Sequence, residues 1–353
     1  MTPAIYRSET LVAFARDVLS ALGLPGREAD TAATAIVEAN LTGFDSHGMI
    51  RLPQYVPLLR AGRINARPNI HVAQRSPATA LVDGDNGMGH LVMRFAAQTA
   101  VELARESGVG WVGARRSNHA GAAGIYVGIP LAAGMIGIYG ANSSANHMAP
   151  WGGAEALLGT NPLAVAIPAG REAPVVLDMA TSVTSFGVIR KHALEGKPLP
   201  EGWAVDPADG APVTDARKAA EALLLPIGGY KGSGLALIIG LLAGVLNGAA
   251  FGREVKEFSA EGAGEGNTGQ FIIALDVACF QPLEQFKAEM DRQIGVLRSA
   301  KALPGVTAVR IPGEDRLRRR AERLEKGIPL PPALVRQLDA VANEAGVALL
   351  SGR

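Results

Sequence analysis

The feature that most constrains the fold is a glycine motif in which the order of the flanking strand and helix is the opposite of the usual one. Residues 108–113 read GVGWVG, which matches the G-x-G-x-x-G fingerprint of dinucleotide-binding Rossmann folds. That fingerprint follows a strand and opens a helix, so that the helix N-terminus faces a diphosphate. Here residues 91–106 precede the glycines with apolar side chains at helical spacing, and the following WVGA reads as a strand. This order argues against a Rossmann fold and makes Gly108 a helix C-terminal residue.

Short apolar runs dominate the middle of the chain. WVGA, MIGIYGA, PLAVAIPA and APVVLDMA lie within residues 109–185, with loops and few long helices between them. This pattern predicts an α/β protein with a mixed sheet rather than a regular alternation of parallel strands and helices. Two short strands within 68–85 and a further one in FIIALDVACF extend the same unit. We expect an α/β body over residues 68–280, and a division of it near residue 126 stays open.

Helical patterns flank this body on both sides. Residues 8–22 and 283–298 place apolar side chains on one face, and residues 314–353 also read as helical. We expect residues 1–67 and 281–353 to form one helical region from both termini. The run from Arg316 to Arg320 is mixed with acidic residues, which predicts a solvated helix face rather than a phosphate-binding patch.

Composition narrows the functional classes. Of 353 residues, 48% are hydrophobic and 19% are charged, which indicates an ordered globular chain. The net charge of +1 gives no support for nucleic acid as a partner. The single cysteine, Cys279, permits no disulfide within one chain and no cysteine-based metal site. We expect its thiol to be buried.

One long apolar run, at residues 235–252, is a candidate for a membrane span. Gly240, Gly244 and Gly248 recur every four residues and Asn247 is polar, which favours a buried helix that packs through its small residues. The first residues show no basic segment followed by an apolar one, so no signal peptide is expected. We therefore expect a cytoplasmic protein with no membrane partner.

A first candidate site lies in DSHGMIRLPQY, where His47 and Arg51 are four residues apart. On a helix they share a face, and an imidazole beside a guanidinium suits a carboxylate substrate. A surface helix with Asp45 or Ser46 as its N-cap explains the spacing equally well. Spacing alone leaves both interpretations open.

Further candidates lie in loops. His119 in SNHAGAAG follows a predicted strand, a position suited to acid–base chemistry, although a histidine that only hydrogen-bonds a loop fits as well. NSSANHMAPWGG and LGTNP can offer backbone N–H groups to an anion. Lys231 in GGYKGSG would lie at a helix N-terminus, where dipole and ammonium favour a phosphate. Hydrolase, Walker and metal-binding motifs are lacking, so no metal is expected.

The segments DSHGMIRLPQY, SNHAGAAG, APWGG, LLGTNPLAVAIP, VLDMATS, EGWAVD, GGYKGSGLAL and PGED, in this order, resemble the type-2 malate/L-lactate dehydrogenase family. That family includes malate, sulfolactate and ureidoglycolate dehydrogenases and the piperideine- and pyrroline-2-carboxylate reductases. The resemblance covers roughly residues 8–330. It implies a mixed-sheet, non-Rossmann core that binds NAD or NADP, with the choice between them open. It also implies a homodimer or larger homo-oligomer.

The resemblance implies roles for individual residues. His119 matches the acid/base histidine, and His47 and Arg51 match residues that bind the polar end and the carboxylate of the substrate. Further pocket candidates are Ser46, Tyr55, Asn118 and Thr160. The cofactor candidates are Ser143, Leu177, Asp178, Met179, Lys231, Gly313 and Glu314. Two departures leave the substrate and the cofactor open: Ser185-Phe186-Gly187 replaces a small and a basic residue of many relatives, and Ser233 replaces an aromatic one.

The expected function is hydride transfer between the nicotinamide and C2 of a small 2-oxo or 2-hydroxy acid. His119 would act as acid/base and Arg51 would hold the carboxylate. Within the family, a cyclic imine reductase is the alternative, because a protonated imine needs less help from an acid. A catalytically inactive nucleotide-binding protein is the alternative from another class, and the presence of His47, Arg51 and His119 argues against it.

Overall fold

A computed structural model describes residues 3–219, 221–257 and 264–353 of the chain. The helices are α1 (Ser8–Ala21), α2 (Gly26–Leu41), α3 (Leu52–Arg60), α4 (Gly89–Ser107), α5 (Gly124–Ala132), α6 (Phe186–Glu195), α7 (Tyr230–Ala243), α8 (Leu283–Ser299), α9 (Glu314–Lys326) and α10 (Pro332–Ala345). The strands are β1 (Ala4–Tyr6), β2 (His71–Arg75), β3 (Thr79–Asp83), β4 (Val109–Ser117), β5 (Ile136–Ala141), β6 (Leu163–Ile167), β7 (Val175–Met179), β8 (Ala204–Val205), β9 (Leu223–Leu224), β10 (Thr268–Leu275) and β11 (Ile328–Leu330).

The glycines of GVGWVG serve a helix end and a close helix–strand contact. Helix α4 ends at Gly108, whose φ of +81° is a left-handed conformation that glycine adopts without steric cost. Strand β4 begins at the next residue, so the predicted order of helix, glycine and strand is the observed one. A Cβ at Gly110 would overlap the carbonyl of Ala100 in α4. The second glycine therefore lets α4 lie directly on the strand.

Seven strands form one mixed sheet in the order β2-β3-β4-β10-β5-β6-β7. Strands β3 and β4 are parallel, and the other five neighbouring pairs are antiparallel, which matches the expectation of a mixed α/β architecture. Side chains of the central β10 alternate between two buried faces. Ile272 and Ala274 pack in the core that contains α4 and α5, whereas Phe271 and Ile273 pack against α7.

The two ends of the chain meet in a second core. Strand β1 pairs with β11, with Ala4 opposite Leu330, and helices α1, α2, α3 and α10 bury their apolar faces together. Met88 and Leu91, from the start of α4, join the same core and so connect it to the sheet. The core built from the chain ends is therefore joined to the helix that packs on the sheet.

Two expectations about apolar segments need correction. Helix α7 ends at Ala243 instead of continuing to residue 252, because the chain turns at Gly244 into a short 3-10 turn. Gly240 and Gly244 are buried as predicted, but Gly248 is exposed. The other face of the helix is also exposed, with Ile238 54% accessible, and so is Leu246 in the following turn, at 61%. Residues Tyr230–Asn247 are long and apolar enough to cross a membrane by length and composition alone, and 44% of this window is buried in the fold.

Cys279 is exposed, so the expectation of a buried thiol was wrong. Strand β10 stops at Leu275 because Asp276 caps a 3-10 turn, its Oδ1 accepting a hydrogen bond from the Ala278 N–H at 2.9 Å. The turn carries the cysteine out of the strand and towards Gly108. A Cβ at that glycine would lie 2.8 Å from the cysteine Sγ.

Candidate active site

The segment that carries His47 and Arg51 is not one helix. It forms two 3-10 turns, Asp45–His47 and Met49–Arg51, with Gly48 between them. A Cβ at Gly48 would overlap the amide of Asn40, which donates to Asp45 Oδ1 at 2.7 Å and accepts from the Met49 N–H at 2.7 Å. The turns are thus held by a buried asparagine, and neither Asp45 nor Ser46 acts as a helix N-cap.

Helix α3 then carries Tyr55 into the core. Pro53 lies in its first turn, where a missing N–H has no cost, so the proline starts the helix. Tyr55 is fully buried among the apolar side chains of the second core. Its hydroxyl nevertheless reaches the sheet, 2.7 Å from His119 Nδ1.

The loop after β4 holds His119 in place through its neighbours. Arg116 adopts a φ of +47°, and β10 has a register shift opposite Ser117, so the end of the strand pair is distorted. The buried Asn118 donates from Nδ2 to the Asn86 carbonyl and side chain and to the Gly87 carbonyl, at 2.9–3.0 Å. Its side-chain nitrogen is thus committed to the protein, and the geometry makes Asn118 a support for His119.

Four predicted substrate-binding residues and the predicted acid/base histidine come together in one cluster. The rings of His47 and His119 stack with centroids 5.6 Å apart and an interplanar angle of 17°. Ser46 Oγ lies 2.9 Å from His47 Nδ1. Arg51 donates from Nε to the Ser46 carbonyl at 2.7 Å and from an η nitrogen to Gln54 Oε1 at 2.8 Å. Tyr55 completes the cluster.

Burial and positive charge keep both histidines neutral. Burial, followed by the charges of Arg51 and His90, lowers the pKa of His47 to about 3. Burial and then Arg51 and His47 lower the pKa of His119 well below its ordinary value. The Gly121 N–H, which can only donate, points at His119 Nδ1 at 3.4 Å. This nitrogen is therefore an acceptor, also for the Tyr55 hydroxyl, and the neutral ring carries its proton on Nε2.

His90 is a residue of this cluster that sequence reasoning missed. It lies in the first turn of α4, is fully buried, and meets the Tyr55 ring edge-to-face at 5.5 Å. Neither ring nitrogen has a hydrogen-bond partner among the residues that the structure describes. Burial lowers its pKa to about 4. The only sequence signal was a histidine at a predicted helix start, which by itself carries no functional information.

Two loops that were predicted to serve different ligands are joined. Ser143, a cofactor candidate, places its Oγ 3.1 Å from the Oγ1 of Thr160, a substrate candidate. The Ser143 N–H also donates to Asn161 Oδ1 at 3.0 Å, and the Thr160 carbonyl accepts from the Thr181 N–H at 2.9 Å. These bonds connect the loop after β5 to the end of β7.

The remaining cofactor candidates lie around β7. Gly313, with a φ of +97°, precedes α9 and lies against Val176, whose N–H donates to the Pro312 carbonyl at 3.0 Å. A Cβ at Gly313 would be 2.9 Å from the Val176 carbonyl oxygen. Leu177 and Met179 on the strand are half-buried, and Glu314 follows the glycine. The structure thus brings the β7 end and the Gly313–Glu314 turn together.

The charged cofactor candidates Asp178 and Lys231 differ in burial and in their contacts. The Asp178 carboxylate accepts a hydrogen bond from the Gly124 N–H at 2.7 Å, so its side chain holds the start of α5, and burial raises its pKa to about 6. Lys231 is exposed in the first turn of α7. The chain before it runs beside the continuation of β7, since the Ile227 N–H donates to the Thr181 carbonyl at 2.9 Å.

The donor set around β7 fits an anionic dinucleotide. Lys231 offers an exposed ammonium at a helix N-terminus, and Gly313 exposes backbone in a tight turn where a side chain would clash. Within the described ranges, no group of three histidine, cysteine or acidic side chains is placed to hold a metal. The described residues thus include a neutral histidine, an arginine held by hydrogen bonds, and an exposed ammonium at a helix N-terminus, which are groups that a nicotinamide-dependent dehydrogenase uses.

Comparisons with known proteins support this class. Residues 6–339 match the family model described as malate/L-lactate dehydrogenase. The chain is 37% identical over 347 residues to malate dehydrogenase of Pyrococcus horikoshii, covering 96% of this chain and 95% of the relative. The structure of sulfolactate dehydrogenase from Methanocaldococcus jannaschii matches with a TM-score of 0.91 at 38% identity, covering 99% of both chains. Δ1-piperideine-2-carboxylate reductase from Pseudomonas syringae pvar. tomato matches with a TM-score of 0.85 at 30% identity, covering 96% and 100%.

The chain belongs to the malate/L-lactate dehydrogenase family. It is an NAD(P)-dependent dehydrogenase of the 2-hydroxy acid type, as the resemblance implied. Its relatives include ureidoglycolate dehydrogenase (NAD⁺) of Escherichia coli and (2R)-3-sulfolactate dehydrogenase (NADP⁺) of Chromohalobacter salexigens.

Proposed function

We propose that this chain transfers hydride between NAD(P)H and C2 of a small 2-oxo or 2-hydroxy acid. The observation that carries the proposal is the cluster of His47, Arg51, Tyr55 and His119, in which a neutral imidazole faces a fixed guanidinium. The bound nicotinamide supplies the hydride. The two departures at Ser185–Gly187 and Ser233 leave the particular acid open.

Arg51 would hold the substrate carboxylate. Its guanidinium is fixed by the Ser46 carbonyl and by Gln54, so little side-chain entropy is lost when it binds a carboxylate. Orientation of this kind contributes on the order of 7–11 kcal/mol to a bimolecular reaction. Ser46, Thr160 and Asn118 would complete or support the pocket.

His119 would move the proton. For reduction the ring first takes up a proton from solvent. The imidazolium then gives its Nε2 proton to the substrate oxygen as the hydride reaches C2, and the ring returns to the neutral form with its remaining proton on Nδ1, directed at the Tyr55 oxygen. A positioned general acid contributes about 10²–10⁴-fold. In the oxidative direction the imidazole takes that proton back.

A cyclic imine reductase is the second candidate, and one observation favours it. The lowered pKa of His119, caused first by burial, makes an imidazolium scarce at neutral pH. A protonated imine carries its own proton and does not depend on that donor. The reductase from Pseudomonas syringae pvar. tomato, which shares the fold, is consistent with this alternative.

The first experiment is a turnover panel with NADH and NADPH in parallel. It contains oxaloacetate, pyruvate, sulfopyruvate and the two cyclic imines, each tested with wild type, His119→Asn and the exposed control His71→Asn. We expect a keto acid to be reduced fastest and His119→Asn to lower kcat about 10²–10⁴-fold. Turnover of imines alone, with a small effect of His119→Asn, would select the second candidate. Cofactor binding without any turnover would support the alternative that the chain is a catalytically inactive nucleotide-binding protein.

The exposed face of α7 supports a homodimer. Leu237, Ile238 and Leu241 on the helix are exposed apolar side chains, as is Leu246 in the turn that follows it. The exposed rings of Trp151 and Tyr230 contact each other at the start of the helix. A twofold axis would place this face against the same face of a second copy and would cover it without a membrane. We expect Ile238→Glu to shift the protein from dimer to monomer in light scattering after size exclusion, whereas Val296→Glu, an exposed control on α8, should not.

The organisation of the chain follows from the same proposal. We infer one helical region from residues 1–67 and 281–353 and one catalytic body from 68–280, without a Rossmann-type cofactor site. Support comes from the core that joins both termini and from the sheet order. A cytoplasmic location is part of this proposal.

A further inference from the structure

Arg316 is a half-buried arginine with an unusual environment. It lies in the first turn of α9, and its Cζ is 3.2 Å from the centroid of the Phe44 ring. Within residues 3–219, 221–257 and 264–353, its guanidinium has neither a hydrogen bond nor an ion pair. The run from Arg316 to Arg320 is therefore not a simple solvated face, because its first member packs inward.

The acidic residues close to Arg316 in sequence are already neutralised. Glu314 pairs with Arg298, and Asp315 pairs with Arg310 and with Arg318 at 2.7 Å. Withdrawing a cation from water is costly unless an anion compensates it. Burial lowers the pKa of Arg316, which reflects that cost. Among the residues that the structure describes, the guanidinium therefore has no ion-pair partner, and Asp178 acts on it only through the electrostatic interaction of the two charges.

The position of Arg316 relates it to two parts of the candidate site. The Phe44 ring on which it lies meets the His47 ring edge-to-face at 6.1 Å, which puts the guanidinium near the catalytic cluster. The Gly313–Glu314 turn, which directly precedes Asp315 and Arg316, lies against Val176 of β7. Its charge also acts on Asp178, although less than burial and the Gly124 hydrogen bond do. Arg316 therefore lies between the histidine cluster and the turn that the family resemblance assigns to the adenosine.

We propose that Arg316 binds the diphosphate of the NAD(P) cofactor. The inference rests on the proposed function, since it assumes that the nicotinamide lies at His119. In a dinucleotide the diphosphate lies between the nicotinamide and the adenosine, as Arg316 lies between their expected positions. A planar guanidinium suits phosphate oxygens, and the Phe44 ring fixes its plane before binding.

The test is equilibrium binding to the full-length protein, without substrate. Isothermal titration calorimetry would measure Kd for NADH, NADPH, ADP-ribose and adenosine with wild type, Arg316→Gln and Arg316→Lys. Arg318→Gln is the matched control, because Arg318 lies half a turn further along α9 and is exposed. We expect Arg316→Gln to weaken NADH, NADPH and ADP-ribose alike, by about 10- to 100-fold, and to leave adenosine unchanged. Arg316→Lys should lie between, because the ammonium keeps the charge without the fork.

Several results would overturn the assignment. An unchanged Kd for NADH in Arg316→Gln rules out the contact, as does an unchanged Kd in Arg316→Lys if the glutamine variant does not fold. A loss confined to NADPH would place Arg316 on the 2′-phosphate. A raised substrate KM with an unchanged NADH Kd would place it on an acidic group of the substrate. Wild type that binds NADH but turns over nothing would refute only the proposed function, whereas wild type that binds neither dinucleotide would refute both.

Discussion

Replacing His90 by leucine should make the protein more resistant to acid. His90 is fully buried and uncharged, and its two ring nitrogens have no hydrogen-bond partner in the described parts of the chain. In the unfolded chain its pKa is about 6.5, and in the folded protein burial lowers it to about 4. As the pH falls below 6.5, His90 binds a proton in the unfolded state but stays neutral in the folded state. The free energy of unfolding therefore falls between pH 6.5 and pH 4.

The size of the effect follows from these two pKa values. A difference of about 2.5 pH units corresponds to about 3 kcal/mol below pH 4, and at pH 5 about 2 kcal/mol is already lost. His90→Leu removes this loss and replaces two unsatisfied polar atoms by an apolar group of similar size, which is close to neutral at pH 7.5. The variant should thus match wild type at pH 7.5 and exceed it by about 2 kcal/mol at pH 5.

Urea unfolding at fixed protein concentration, followed by circular dichroism at pH 7.5, 6 and 5, measures this difference. His71→Leu, on the exposed strand β2, is the control and should keep the wild-type pH dependence because its imidazole is solvated in both states. A constant difference between His90→Leu and wild type at all three pH values would refute the reasoning. It would mean that His90 titrates alike in the folded and unfolded states.

Three further predictions address the site and the fold. Arg51→Lys should raise KM and lower kcat, reducing kcat/KM about 10- to 100-fold in steady-state assays, because the planar fork is lost; an unchanged preference for carboxylates would contradict its role. Tyr55→Phe removes the donor to His119 Nδ1 and should lower kcat about 2- to 10-fold with little change in cofactor Kd; unchanged kinetics would show that the bond is dispensable. Gly108→Ala should lower the free energy of unfolding by about 1–2 kcal/mol in urea titrations, because of its positive φ and its approach to Cys279; a neutral effect would show that the helix end adjusts.

The sequence predicted secondary structure correctly where residue spacing and the conformational preferences of single residues determine it. The helix before Gly108 and the strand after it follow from apolar spacing and from the tolerance of glycine for positive φ. The strands of the middle segment are recognised as short apolar runs between glycine-rich loops. The resemblance supplied the order of the site motifs. These signals are sufficient to predict a mixed α/β fold and to identify the family.

Long-range packing explains the structural features that could not be predicted from the sequence. The break at Gly48 depends on the amide of Asn40, which the sequence pattern does not place against it. Cys279 leaves its apolar run because Asp276 caps a turn, a choice that hydrophobicity does not encode. Arg316 looked like a member of a solvated run, and only the position of Phe44 shows that it faces inward. Each case depends on a contact between distant segments.

The candidate site lies where the two cores of the chain meet, and this explains how a tyrosine of one core orients the histidine of the other. Tyr55 is buried in the core built from both termini, whereas His119 follows a strand of the sheet. Their hydrogen bond spans the junction, as does the stacking of His47 on His119. Because the tyrosine can only reach the imidazole when the two cores are docked, the orientation of the acid/base group depends on that docking. A change that loosened the junction would therefore lower the rate of proton transfer before it unfolded either core.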